Sequence, residues 1–145
     1  MTPDPLEQAE ILEELLPEVI RTLFPGSDNE PLSDLPVSQL RVLRLLWKSP
    51  RTSTELAELL SISPPAVAQV LAKLEAADLI SKVLLEHDRR AKSVELSVSG
   101  RCLMLSRRTM RTARAARILQ SIEASDRESV IKALRKLAAL PSKPT

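Results

Sequence analysis

The sequence predicts a mainly α-helical fold with one small β-hairpin near its middle. Three observations carry that expectation. Apolar residues recur at helical spacing through most of the 145 residues. Two short β-prone runs, 82–86 and 93–98, interrupt that pattern once, the second with Val94, Leu96 and Val98 alternating. Ser and Thr stand where helices should begin. The length suits one compact domain or two small lobes sharing a core, and a 43% apolar content is enough to bury about two thirds of the unfolded chain's surface.

The elements follow in order. Leu12, Leu15, Leu16, Val19, Ile20 and Leu23 make residues 5–24 an amphipathic helix, in which Pro17 implies a kink or the meeting of two shorter helices. Pro25-Gly26 stops it, and 27–34 reads as a polar loop. Pro36 suits the first turn of a second helix that carries Leu40, Leu43, Leu46 and Trp47 inward. Thr52-Ser53-Thr54-Glu55 has capping-box spacing and opens a short helix with Leu56, Leu59 and Leu60. After the Ser61-Ile62 turn, Ser63 caps a helix whose first-turn Pro64 and Pro65 need no amide partner, with Val67, Val70, Leu71 and Leu74 as its buried stripe. The hairpin comes next, its strands separated by a polar loop over 87–92. A long helix over 97–121 has no acid between Glu95 and Glu123. Ser125-Asp126-Arg127-Glu128 is a second capping box, opening a last helix with Val130, Ile131, Leu134 and Leu137. Residues 143–145 read as a frayed tail.

Composition removes several functions. Two Gly cannot supply a phosphate-cradling loop. One Cys and one His exclude a disulfide framework and a His/Cys metal cluster within one chain, so neither a metal nor a cofactor is expected. Phe24 and Trp47 are the aromatic residues, too few for the stacking platforms of single-stranded nucleic acid. No apolar run approaches the roughly 18 residues of a membrane span, and the acidic start lacks the order of a signal peptide. The lone thiol fits a reducing compartment, so the expected location is cytoplasmic. The net charge of +2 conceals a division: residues 1–34 carry −8, and 35–145 carry +10. A basic body suggests a polyanionic partner.

Two helices joined by a short turn, the second starting Ser-Pro, make a helix-turn-helix, and the hairpin behind it makes a winged helix. The terminal helices are too amphipathic to stand alone; burying the first against the last two, in one chain or between two, is the economical arrangement. The chain divides on this reading into an N-terminal helical segment over 1–34, a winged helix-turn-helix lobe over 35–98 and a C-terminal helical segment over 99–145.

These residues resemble the MarR-type winged-helix regulators. Asp78-Leu79-Ile80-Ser81-Lys82, then Asp88-Arg89-Arg90-Ala91, then Val94-Glu95-Leu96-Ser97-Val98-Ser99-Gly100 is similar to that family's wing. Glu55-Leu56-Ala57 and Ser63-Pro64-Pro65-Ala66-Val67 resemble its helix-turn-helix, and Ser125–Glu128 before Leu134 its terminal helix. The resemblance implies a homodimer that binds double-stranded DNA sequence-specifically at a pseudo-palindromic operator, usually as a repressor. It implies that the terminal helices form the dimer, and that a small molecule or an oxidant often releases the DNA. Three positions depart from the family: Asp78 replaces a usual Gly, Gln69 stands where Arg is common and leaves Lys73 as the recognition helix's cation, and Pro17 breaks a helix more continuous in relatives. Asp tolerates the left-handed conformation better than most residues, so the turn survives.

A recognition helix reads bases with its N-terminal half. Ser63, Pro65, Ala66, Gln69 and Lys73 lie opposite its apolar stripe. Gln69 suits a bidentate adenine contact, Lys73 a guanine or phosphate, and Ala66 a thymine methyl. Arg89 and Arg90 suit a narrow minor groove. The resemblance implies that one of them enters it while the other pairs with Asp88, which shapes the wing; which does which stays open. Arg51, Thr52, Lys82 and Lys92 are placed to meet phosphates. The bland reading of each is a solvated surface residue, and the strongest competing function is a winged-helix protein-interaction module that never reads DNA.

No enzyme is expected. His87 beside Asp88, with Ser81 and Ser93 near in sequence, sits at a hairpin tip that offers no pocket for a hydrolytic triad. Cys102, one turn into the long helix beside Arg101, is the candidate oxidant sensor, set against the commoner role of a buried bystander. Arg107, Arg111, Arg114 and Arg117 form a row that the acidic N-terminal arm is expected to meet, within the chain or across the dimer.

Overall fold

The computed structural model describes residues 2–85 and 88–141, with side chains throughout except at 84, 85 and 88–91. Among the described residues the chain forms α1 (Pro5–Leu23), α2 (Val37–Lys48), β1 (Arg51–Thr52), α3 (Ser53–Leu60), α4 (Pro64–Ala76), β2 (Ile80–Leu85), β3 (Asp88–Leu96), α5 (Val98–Leu119) and α6 (Ala124–Ala138). The helix-turn-helix with its hairpin is therefore present as expected. The chain divides into two compact units, Gly26–Met110 and the union of Met1–Pro25 with Arg111–Thr145.

In the Gly26–Met110 unit, α2, α3, α4 and the sheet enclose one core. Val42, Leu43, Leu46, Leu56, Val67 and Leu74 are fully buried in it, joined by Leu71, Leu79, Ile80, Val94, Leu96 and Met104. The sheet is antiparallel in the order β1-β3-β2. β1 was not foreseen: Arg51 pairs with Val94 and Thr52 with Ser93, so the segment leading into α3 becomes the edge strand of the wing's sheet. A two-residue strand has no periodicity to betray it. Leu59 stands exposed, because the eight residues of α3 turn only Leu56 and Leu60 fully into the core.

Arg107 brings a buried ion pair to this unit. Its Nη1 donates to Glu30 Oε2 at 3.3 Å and to the Pro31 carbonyl at 3.2 Å. The next residue, Leu32, is held at φ 65, a left-handed conformation costly for a leucine.

The other unit contains α1, the last part of α5 and α6. Asp4 caps α1, accepting from the Leu6 amide at 3.3 Å, and Pro5 follows in the first turn. α1 is one helix through Pro17, not two. The proline removes only its own amide from the ladder, and on this exposed helix water can satisfy the carbonyl released one turn back. At the far end, Arg111 donates to the Phe24 carbonyl at 3.5 Å and stacks its guanidinium 5.4 Å from the Phe24 ring centroid, while Arg114 donates to the Pro25 carbonyl at 3.0 Å. Cations at a helix C-terminus are favourable partners for its outward carbonyls. The arginine row thus meets the N-terminal segment at the Glu30 carboxylate and at the Phe24, Pro25 and Pro31 carbonyls.

α6 starts two residues earlier than its capping box suggested: Glu123 is the N-cap, and it makes no side-chain cap. Arg127 explains the difference, since its Nη1 donates to the Leu119 and Ile122 carbonyls at 3.0 and 3.1 Å and fastens the preceding turn. Neither α1 nor α6 has a buried residue. No helix of the described residues is long and apolar enough to cross a membrane.

Candidate nucleic-acid interface

The site starts from two local caps. Thr52 Oγ1 accepts from the Glu55 amide at 3.1 Å and opens α3; Ser63 Oγ accepts from the Ala66 amide at 3.3 Å and opens α4, with Pro64 and Pro65 in its first turn. Between them Ser61 takes φ 54, and the Ile62 amide returns to the Ala57 carbonyl at 3.2 Å, turning the chain sharply. α4 lays Val67, Leu71 and Leu74 on the core. That leaves Ser63, Pro65, Gln69 and Lys73 exposed and Ala66 half-buried. Ala68 and Ala72 are exposed as well, and their methyl groups keep the surface low around Gln69. α4 ends at a turn in which Asp78 adopts φ 58, the left-handed conformation its side chain tolerates.

The wing departs from the expected strand–loop–strand. Residues 88–92 continue β3 instead of forming a loop, and β2 begins at Ile80. The ladder runs regularly from Ile80↔Leu96 to Leu84↔Lys92 and then jumps to Leu85↔Asp88. Over that jump β2 advances one residue while β3 advances four, a break in register that bulges β3 over Arg89, Arg90 and Ala91. Polar composition favours a loop here, but ladder hydrogen bonds are made by the backbone and need no apolar alternation. The side chains of Asp88, Arg89 and Arg90, and all of His87, lie outside the described residues, as do residues 143–145. At the other end, Val98 is 84% exposed and begins α5 instead of closing the strand.

The remaining cations divide. Lys92 is exposed. Lys82 Nζ lies 3.4 Å from Glu75 Oε2 at the end of α4, a half-exposed pair of the kind a competing anion displaces at little cost. Arg51 is half-buried in β1, and its Nε has no hydrogen-bond partner among the described residues. Thr52 Oγ1 accepts one hydrogen bond in the cap and keeps a proton to donate. Cys102 is exposed on α5, so it is not a buried bystander. Among the described residues no group of three or more His, Cys, Asp or Glu is gathered as a metal would require.

Residues 33–91 match the family model described as MarR family. The whole fold also has counterparts among solved structures. A MarR-like transcriptional regulator from Thermotoga maritima is 22% identical, with a TM-score of 0.70 over 99% of this chain and 100% of that one. Streptococcus pneumoniae FabT, solved in complex with DNA, is 20% identical, with a TM-score of 0.70 over 93% and 95%. The transcriptional regulator BldR from Sulfolobus solfataricus is 21% identical, with a TM-score of 0.63 over 94% and 99%. At these identities the likeness speaks for the fold, while the match over 33–91 speaks for descent. Over residues 33–91, its helix-turn-helix and the first part of its wing, the chain matches the MarR family.

Proposed function

We propose that this protein is a sequence-specific regulator of transcription in the cytoplasm that binds double-stranded DNA as a homodimer, acting as a repressor at a pseudo-palindromic operator. The observation that carries the reading is the presence of two basic or polar segments on one unit. The Ser63-capped end of α4 exposes Pro65, Gln69 and Lys73, and β3 bulges at Arg89-Arg90-Ala91. The first is suited to base edges in a major groove, the second to the flanking minor groove. The MarR family match over 33–91 and the DNA complex of the structurally similar FabT support the same assignment. Lys73 is the single cation along α4's exposed face, so phosphate affinity is assigned to Arg51, Lys82, Lys92 and the wing.

The dimer is supported by two uncovered apolar stripes. Leu12, Leu15, Leu16, Val19 and Ile20 on α1 are each at least 42% exposed, and Val130, Ile131, Leu134 and Leu137 on α6 at least 49%. Helices of this kind are stable only when such a stripe is buried against another surface. A second copy supplies matching stripes and the two-fold symmetry that a pseudo-palindrome mirrors. An effector that releases the DNA completes the reading; Cys102 has the access that an oxidant would need.

The test is a fluorescence anisotropy titration on the DNA flanking the protein's own reading frame, at two salt concentrations, beside a scrambled duplex. The expected result is tighter binding to the flanking DNA, one dimer per site, and an affinity that falls steeply with salt. Equal affinity for every duplex, or a strictly monomeric protein, overturns the proposal. A protein-interaction module, favoured by the sparse charge of α4, would give the first of those outcomes.

A further inference from the structure

The exit of α4 is fastened by one hydroxyl. Ser97, the residue between β3 and α5, makes three contacts at once. Its Oγ accepts from the Gly100 amide at 2.9 Å, capping α5. The same Oγ donates to the Asp78 carbonyl at 2.6 Å, and its amide donates to the Leu79 carbonyl at 3.0 Å. Asp78 and Leu79 are the turn in which α4 ends, where the Asp78 amide returns to Glu75 at 3.0 Å and the Leu79 amide to Leu74 at 3.0 Å. The two segments approach so closely that a Cβ on Gly100 would lie 2.1 Å from the Leu79 carbonyl oxygen. The first turn of α5 and the last turn of α4 are therefore one hydrogen-bonded joint, with the Ser97 hydroxyl at its centre.

We propose that Ser97 is a positioning residue for DNA readout, and that its donation to Asp78 sets the angle at which α4 leaves the joint. This rests on the DNA-binding function proposed above. Gln69 stands nine residues before Asp78, about 14 Å along a helix axis. A swing of roughly 10° about the joint would carry Gln69 about 2 Å sideways, against a tolerance on the order of 0.5 Å for a positioned recognition group. The core holds α4 through Val67, Leu71 and Leu74 along its buried side. Ser97 adds a fixed point at its end, one attached to α5 rather than to the core. Two separate uses of one hydroxyl make the idea testable, because side chains exist that keep the cap and lose the donation.

The experiment selects, with the wild-type protein, a duplex from a random pool long enough for two half-sites, and compares affinity for that duplex with affinity for a scrambled one. The ratio is insensitive to the fraction of protein that is folded, since a loss of active protein scales both affinities alike. Ser97→Thr keeps acceptor and donor, and should hold the ratio within about twofold of wild type. Ser97→Asp caps a helix as well as Ser does but has no proton to give Asp78 at neutral pH; Ser97→Gly is tolerated at a cap and has no hydroxyl at all. Both should lower the ratio by roughly tenfold, the scale of one misread base pair, while leaving affinity for the scrambled duplex nearly unchanged. If Ser97→Asp and Ser97→Gly discriminate as the wild type does, the cap alone suffices and the positioning role is wrong. If the wild type enriches no duplex from the pool, the DNA-binding reading itself fails. The glycine variant guards against an aspartate variant that does not fold.

Discussion

The Arg107 guanidinium donates to the Glu30 carboxylate at 3.3 Å, and the two side chains keep only 10% and 1% of their exposure. Seventy-seven residues separate them. A buried pair of this kind is weak evidence for net stability, because desolvating two charges costs about as much as their attraction returns. What it does supply is a requirement that both partners be present. The same guanidinium holds the Pro31 carbonyl, next to Leu32 at φ 65.

Removing one partner should therefore cost far more than removing both. Arg107→Ala or Glu30→Ala is expected to destabilise the fold by about 3–5 kcal/mol, since each takes the opposite charge away from a charge in a buried site. Combining Glu30→Leu with Arg107→Met should recover most of that loss. Urea unfolding of the three variants measures this. Single variants within about 1 kcal/mol of wild type would show that water reaches the site and screens it.

Gly100→Ala sets two effects against each other. Alanine in a helix is favoured over glycine by about 1 kcal/mol. Its Cβ, however, would sit 2.1 Å from the Leu79 carbonyl oxygen, a backbone atom that cannot swing aside. Overpacking of that sort typically costs 1–3 kcal/mol, so the clash should win and the melting temperature should fall. A rise in melting temperature would mean that the joint between α4 and α5 opens without cost.

Charge placed on the uncovered stripes should separate the protomers. Leu15→Glu on α1 and Leu134→Glu on α6 lie at half-exposed apolar positions, so neither should disturb the folding of the Gly26–Met110 unit. Each loses about 1–3 kcal/mol of apolar burial per copy in the dimer and adds a desolvated carboxylate. Sedimentation should report a monomer with weakened DNA binding. A variant that remained dimeric would move the contact to another surface.

Recognition helix and wing should fail in different ways. Gln69→Ala is expected to cost about 1–3 kcal/mol at one base position and to relax specificity there. Arg89→Ala combined with Arg90→Ala should weaken binding to all duplexes and make the salt dependence shallower. Affinity measured on a panel of single-base variants at several salt concentrations separates the two patterns. Equal loss on every sequence for Gln69→Ala would remove it from base readout.

Local chemistry was legible in the chain. Thr52 and Ser63 cap the helices they were expected to cap, and Asp78 adopts its left-handed turn, because each partner lies within four residues. The same spacing misled at Ser125. Residues three apart share a helix face anywhere along a helix, so a Ser-x-x-Glu pattern inside α6 resembles one at its start. β1 escaped notice because its partners, Val94 and Ser93, are some forty residues away and two residues carry no period.

From the residues alone came the order of helices, the place of the hairpin, the opposed charges of the two parts of the chain and the apolar stripes at its ends. Those features follow from periodicity, caps and composition, which act over a few residues at a time. Folding alone decided that Arg107 spends its charge on Glu30, that β3 bulges at the wing's arginines, and that a single serine joins α5 to the end of α4. Each depends on which distant groups meet once the core has closed. A buried charge or hydroxyl must then take whatever partner the closed chain brings within about 3 Å.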